Sequence, residues 1–220
     1  MKPKLIALLF PLLFLFCKSH GQYKDLEGVF FGKVISFGAG GSVLLFNEKQ
    51  IGTQTTITPL TYNVILNNKS IISSRIALHK KYSVRYDGND GFNDYSQTVD
   101  FKFFEFESAY QVAVTKDGIE KPSSVFFTLQ AGFLFGSQKI NDTRYGLTSD
   151  EPSSEFFLGP GFTFYQRLGG KAILFAEPSY RFVIKPGYFK VYLGDNDEKL
   201  VKLSHLSCHI GIMFLVGKTK

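Results

Sequence analysis

Between Lys33 and Val216 the chain is written in twos. About eight segments alternate apolar with small or polar residues, and turn residues bound each of them. The segments run roughly Lys33–Phe46, Thr53–Leu66, Ser70–Tyr82, Thr98–Thr115, Ser123–Gly136, Ser154–Leu168, Lys171–Lys185 and Leu200–Val216. In the fifth, Val125, Phe127, Leu129, Ala131, Phe133 and Phe135 oppose Phe126, Thr128, Gln130, Gly132, Leu134 and Gly136. In the eighth, Leu206, Cys208, Ile210, Ile212, Phe214 and Val216 oppose Ser207, His209, Gly211 and Met213. Successive strand side chains point to opposite sides, so each segment predicts a strand with one greasy face and one mixed face. The fourth segment breaks its own pattern. Phe104, Phe106 and Tyr110 oppose Glu105, Glu107 and Ala109, but Phe101 and Phe103 fall on the polar side, where a bulge or a strand end is expected. No segment has the 3.6-residue period of an amphipathic helix. The fold class is therefore all-β.

Two closed architectures fit this alternation. A soluble barrel or sandwich turns its greasy faces inward, and a membrane barrel turns them outward to lipid. The connections favour the second. Those after segments two, four and six are short: Asn67-Asn68-Lys69, about Lys116–Pro122, and Gly169-Gly170. Those after three, five and seven are long and polar: about Ser83–Gln97, Ser137–Ser153 and Pro186–Lys199. Membrane barrels alternate short periplasmic turns with longer external loops in this way. The prediction is a single antiparallel up-and-down transmembrane β-barrel of about eight strands. Ten strands result if Val29–Phe37 and Val43–Phe46 are separate and Tyr188–Leu193 pairs independently. The alternation of Tyr188, Lys190 and Tyr192 with Phe189, Val191 and Leu193 predicts an extended external hairpin there. Closure also leaves no unpaired strand edge in lipid. Glycines within strands, such as Gly132, Gly161 and Gly211, relieve crowding inside a narrow barrel.

The N-terminus supplies the route. Lys2 and Lys4 precede the apolar run Leu5 to Phe16, and Ser19 and Gly21 are small residues placed for cleavage before Gln22. The run is about 12 residues, short of the about 20 that a spanning helix needs. Residues 1–21 are thus read as a cleaved signal peptide and 22–220 as the barrel domain. Cys17 offers a lipid-attachment alternative, opposed by the bulky Phe16 before it. The formal charge is +6, but three of the 25 basic residues and none of the 19 acidic ones lie in the leader, leaving +3. That weak, mixed balance speaks against a nucleic-acid partner.

An exported chain of eight glycine- and aromatic-rich strands, with a leader ending Ser-His-Gly before Gln22, resembles the small outer-membrane β-barrel proteins of Gram-negative bacteria, of the type common in Bacteroidetes. The resemblance covers the mature chain and is architectural. It implies an outer-membrane location, a monomer, and as partners the lipid bilayer with its lipopolysaccharide and the barrel-assembly machinery. It implies no cofactor and no enzyme, with function in the external loops as surface recognition, adhesion or envelope support. The chain departs from the pattern in lacking Trp and in ending Gly-Lys-Thr-Lys rather than on an aromatic residue.

Two constellations could carry chemistry. Arg75, His79, Glu105, Glu107, Glu177, Arg181 and His209 all fall on polar faces. In one lumen they would pair, because unpaired buried charge is costly. A salt-bridged plug is favoured over an ion path, since eight-stranded interiors are filled by side chains. The second is His205-Leu206-Ser207. A His and a Ser two apart share a strand face, and this resembles the His-x-Ser of outer-membrane lipid A deacylases. Here Cys208 stands where that family has Asn, no acid follows, and the parity points both side chains into the lumen. A lipid A-modifying hydrolase is the weaker alternative, beside a soluble periplasmic barrel with an apolar ligand inside. His205 and His209 lie about 13 Å apart along a strand, too far to share a metal.

Overall fold

Every one of the eight alternating segments forms a strand, and the strands close on themselves. The structure is a computed structural model that describes residues 34–46, 53–89, 94–143, 147–168, 171–185, 190–192, 198–200 and 203–216. The expected leader and its cleavage site lie outside the described residues.

The strands are β1 (Val34–Phe46), β2 (Thr53–Asn67), β3 (Ser70–His79), β4 (Tyr82–Asn89), β5 (Asp94–Ala113), β6 (Ser123–Asp142), β7 (Leu147–Arg167), β8 (Ala172–Lys185), β9 (Lys190–Tyr192), β10 (Glu198–Leu200) and β11 (His205–Val216). Eight of them pair antiparallel in the ring β3-β2-β1-β11-β8-β7-β6-β5, and β3–β5 pairing closes it. β1 runs unbroken, so the barrel has eight strands and not ten. β9 and β10 form a separate two-stranded ribbon, with Glu198 opposite Tyr192. This is the hairpin expected from the Tyr188–Leu193 alternation. Among the described residues no helix is long and apolar enough to cross a membrane.

Two expected long loops are in fact strand. β4 continues β3 upward along β5, and Ser83–Gln97 is mostly a hairpin with Val84 opposite Val99 and Asn89 opposite Asp94. Ser137–Ser153 is likewise mostly β6 and β7, with Asp142 opposite Leu147. β5, β6 and β7 therefore reach 20, 20 and 21 residues, about twice the 9–11 that span a bilayer. These stretches lack apolar alternation, because a strand wetted on both sides keeps its ladder without a greasy face. Together β4 and the outer parts of β5, β6 and β7 form a four-stranded sheet that extends beyond the eight-stranded ring.

Parity decides which face is which. Phe37, Ile57, Ile76, Phe106, Leu129, Phe162, Phe182 and Phe214 lie on the outside, and Ile57 is 69% exposed. Thr58, Glu107, Thr128, Gln130 and His209 lie inside at 0%. The soluble alternative requires the reverse. The apolar exterior is also dense in rings, such as Phe104 stacked on Phe135 at 4.9 Å and Phe133 tilted against Phe156 at 5.1 Å.

The bulge expected at Phe101 and Phe103 is absent from β5, which pairs with β6 without a register shift. Both rings point inward, 1% and 5% exposed, and stack at 5.6 Å. They fill the lumen above the charged residues, which is why they share the polar parity. The extra residue belongs to the partner strand: from Leu78 to Tyr82 there is one more residue than from Phe104 down to Phe101. A second bulge in β2, at Pro59 and Leu60, shifts register against both β1 and β3. Proline has no N–H to give to a ladder, so a bulge is where it fits.

Candidate functional site

The lumen is stacked in three layers. At the end with the short turns, Ile65, Ile71, Phe126, Tyr165, Ile173, Phe175, Met213 and Leu215 form an apolar plug. Ile119 joins it from the β5–β6 turn, a single 3₁₀ turn over Gly118–Glu120. Gly118 has φ +58, and a Cβ there would lie 1.7 Å from Asn68 O, so only glycine allows this turn to tuck under the barrel. Ile119 N donates to Asn68 O at 2.9 Å, and Arg167 Nη2 donates to Ile119 O at 3.1 Å. At the other end Leu44, Val99, Phe101, Phe103, Leu134, Phe157 and Leu203 make a second, mainly apolar layer, with Gln54, Gln138 and Glu155 buried at the same level.

Between them lies the charged layer. All seven residues expected in a shared lumen are there, from β3, β5, β8 and β11. Arg75 Nε meets Glu107 Oε1 at 2.8 Å, and its other nitrogens reach Glu177 and His209 Nδ1. Arg181 Nη2 meets Glu107 Oε2 at 2.5 Å, and Nη1 meets Glu105. His79 Nε2 lies 3.3 Å from Glu105 Oε2. Arg181 also stands 5.1 Å from the centre of the Phe157 ring. Two guanidinium charges thus face three carboxylates, with the imidazole of His79 beside Glu105.

These contacts cross the barrel. In the ring order β3 and β8 are four strands apart out of eight, so the Arg75–Glu177 pair spans the diameter. Buried ions of this kind are tolerable only with their remaining hydrogen bonds made. Sequence reasoning missed the residues that make them, because they are neutral. Thr163 Oγ1 donates to Glu177 Oε2 at 2.8 Å, and Gln111 Nε2 donates to the same oxygen at 3.2 Å. Tyr165 OH donates to Gln111 Oε1 at 2.5 Å, and Thr128 and Thr163 share a hydrogen bond of 2.6 Å. The signal was available: each sits on the polar parity at the level of a charged residue.

His205 and Ser207 point inward, as the parity required, and are 2% and 0% exposed. His205 Nδ1 donates to Leu203 O at 2.7 Å, and its Nε2 lies 3.4 Å from Arg181 Nη1. The imidazole is engaged by the lumen network, and neither side chain faces lipid. Among the described residues no group of three or more His, Cys, Asp or Glu is placed to hold a metal ion.

Known structures match this architecture at low sequence identity. The outer membrane protein OprG of Pseudomonas aeruginosa is 12% identical, with a TM-score of 0.55 over 85% of this chain and 97% of that one. A major outer membrane protein of Thermus thermophilus is 12% identical, with a TM-score of 0.54 over 83% and 99%. No family profile and no curated protein sequence matches the chain. The likeness is one of fold.

Proposed function

We propose that this chain is a non-enzymatic outer-membrane protein whose barrel is an anchor and whose external sheet is the working surface, serving surface recognition or adhesion. One observation carries the reading: ion pairs span the lumen across its diameter, with an apolar layer above and below. Such an interior serves stability rather than passage, because aqueous channels need about 16 strands. The apolar exterior supports insertion in a bilayer, where closed strands satisfy every backbone group. Lipopolysaccharide, the barrel-assembly machinery and export by the cleaved leader belong to the same proposal, as does a monomeric state.

What projects is then the part with work to do. β4 and the outer parts of β5, β6 and β7 extend about ten residues beyond a bilayer span. They are held by contacts that need no membrane. Lys81 Nζ lies 2.9 Å from Asp100 Oδ2, Ser83 donates to the same carboxylate, and Thr143 N donates to Ser96 O at 3.1 Å.

The test is made on intact cells and on the purified protein. Protease added outside should cut within residues 84–97 or 143–147 and leave a barrel that still needs detergent and still shifts in gel mobility on heating. Free solubility without detergent, or full protection of the hairpins in intact cells, would sink the reading.

A further inference from the structure

The charged layer is a ring with one arc incomplete. Around the inside of the barrel, contacts run from His79 to Glu105, to Arg181, to Glu107, to Arg75 and to His209. From His209 back to His79 the wall is β11, β1, β2 and β3. The registers set His209 opposite Ser42, Ser42 opposite Thr56, and Thr56 opposite His79. Four inward residues on four neighbouring strands thus form one row.

That row is polar and buried, yet three of its atoms lack protein partners. Among the described residues, none hydrogen-bonds His209 Nε2, Thr56 Oγ1 or His79 Nδ1. The same holds for Thr58 Oγ1 and for both amide atoms of Gln54, on β2 to either side of Thr56. Thr58 and His209 are 0% exposed, and Thr56 and Gln54 are 6% exposed. A buried polar group left unmade is costly, so six such atoms on one wall call for a common partner. Gly40 packs closely beside the row: a Cβ there would approach His209 Nε2 to 3.0 Å and Ile210 O to 2.3 Å.

We infer that a chain of buried waters lies against the β1–β2 wall, hydrogen-bonded to Ser42, Gln54, Thr56 and Thr58, and joins His79 to His209 so that the network closes. The chemistry of the lining selects water. Hydroxyls and an amide both donate and accept, which matches a molecule that does both. A hard cation would call for a cage of oxygen acceptors with carboxylates among them. An apolar ligand would call for an apolar lining. The spacing also fits. On neighbouring strands about 4.8 Å apart, polar atoms that do not meet each other directly lie within reach of one bridging water.

The experiment uses the whole protein in detergent micelles. With ¹⁵N-histidine labelling, magnetisation transfer from long-lived water is expected at the rings of both His79 and His209. Thr56→Val removes one hydroxyl at constant shape. It should weaken the transfer at both histidines and lower the midpoint of urea unfolding. If the wall is dry, the same change removes an unsatisfied hydroxyl and the midpoint rises, which overturns the inference. Absence of long-lived water at both histidines overturns it as well. So does one metal ion per chain by elemental analysis, because the site would then hold a cation.

Discussion

Glu107 is where the charged layer is most exposed to test. Its carboxylate takes Arg75 on one oxygen at 2.8 Å and Arg181 on the other at 2.5 Å, at 0% exposure. Glu107→Leu keeps approximate volume and deletes both bridges. Removing one partner of a buried ion pair costs about 3–5 kcal/mol, since the other charge is left uncompensated. Each arginine retains a second carboxylate, Arg75 on Glu177 and Arg181 on Glu105, so the low end applies: about 3 kcal/mol. At about 1.4 kcal/mol per tenfold, that is a loss of roughly 150-fold in the folded-to-unfolded ratio. The chain has 11 Tyr and no Trp, so tyrosine fluorescence can follow urea unfolding in lipid vesicles. Arg85–Asp87 is the internal control, with side chains 68% and 66% exposed. Asp87→Ala should change stability by at most about 1 kcal/mol, as surface pairs do. A Glu107→Leu cost no larger than that of Asp87→Ala would mean that the pairs are solvated. The filled, ion-paired lumen would then be wrong.

Other outcomes can be stated briefly. Phe106→Arg puts a charge on the lipid face beside Ile76 and should cost about 2–4 kcal/mol near the midplane; folding yield into vesicles measures it, and no loss would place that face elsewhere than in lipid. Gly211→Ala sets a methyl 2.5 Å from Ala39 O and 2.7 Å from the Phe175 ring. It should cost about 1–3 kcal/mol by overpacking, and Phe175→Leu in the same chain should recover part of it in a double-mutant cycle. Asp100, outside the spanning part, is held below its ordinary 3.8 by the Ser83 hydroxyl and then by Lys81. A depressed carboxylate contributes stability that is present above its unfolded value and lost as pH falls through the folded one. Protease cutting of the β4–β5 hairpin should therefore rise below about pH 4, and Asp100→Asn should remove that pH dependence.

On the proposed outer-membrane reading, most of the barrel was legible because a bilayer imposes a strict rule on strands inside it. Val125 to Phe135 and Leu206 to Val216 read correctly face by face, since the outward positions are apolar while the inward ones are mixed. The same rule made the seven charged lumen residues visible. It lapses beyond the bilayer, and there the reading failed: Ser83–Gln97 and Ser137–Ser153 look like loops because nothing forces one face to be greasy. It also lapses at the ends of the lumen, where apolar side chains such as Phe101, Phe103 and Ile173 seal the interior from both directions. The neutral partners Gln111, Thr163 and Tyr165 sit on the polar parity but escaped notice because they carry no charge; that Gln111 on β5 reaches Glu177 on β8 shows only once the ring is closed. Ile119 could not be placed from sequence at all, since its role depends on a turn folding under the barrel.

The ring closes between β1 and β11, the two strands farthest apart along the described chain, through a continuous register from Ile35–Val216 to Phe46–His205. A ribosome delivers β1 long before β11, so every earlier stage of synthesis offers an unpaired edge. Such an edge invites pairing with other chains, and contacts so distant in sequence form slowly. Assembly is thus bound to a schedule: the chain has to be kept from committing until its last strand arrives. A slip of one residue at that final seam would turn Ser42, His209 and their neighbours toward lipid and the greasy faces inward. The seam joining the earliest and latest strands is therefore both the last step of folding and its proofreading step.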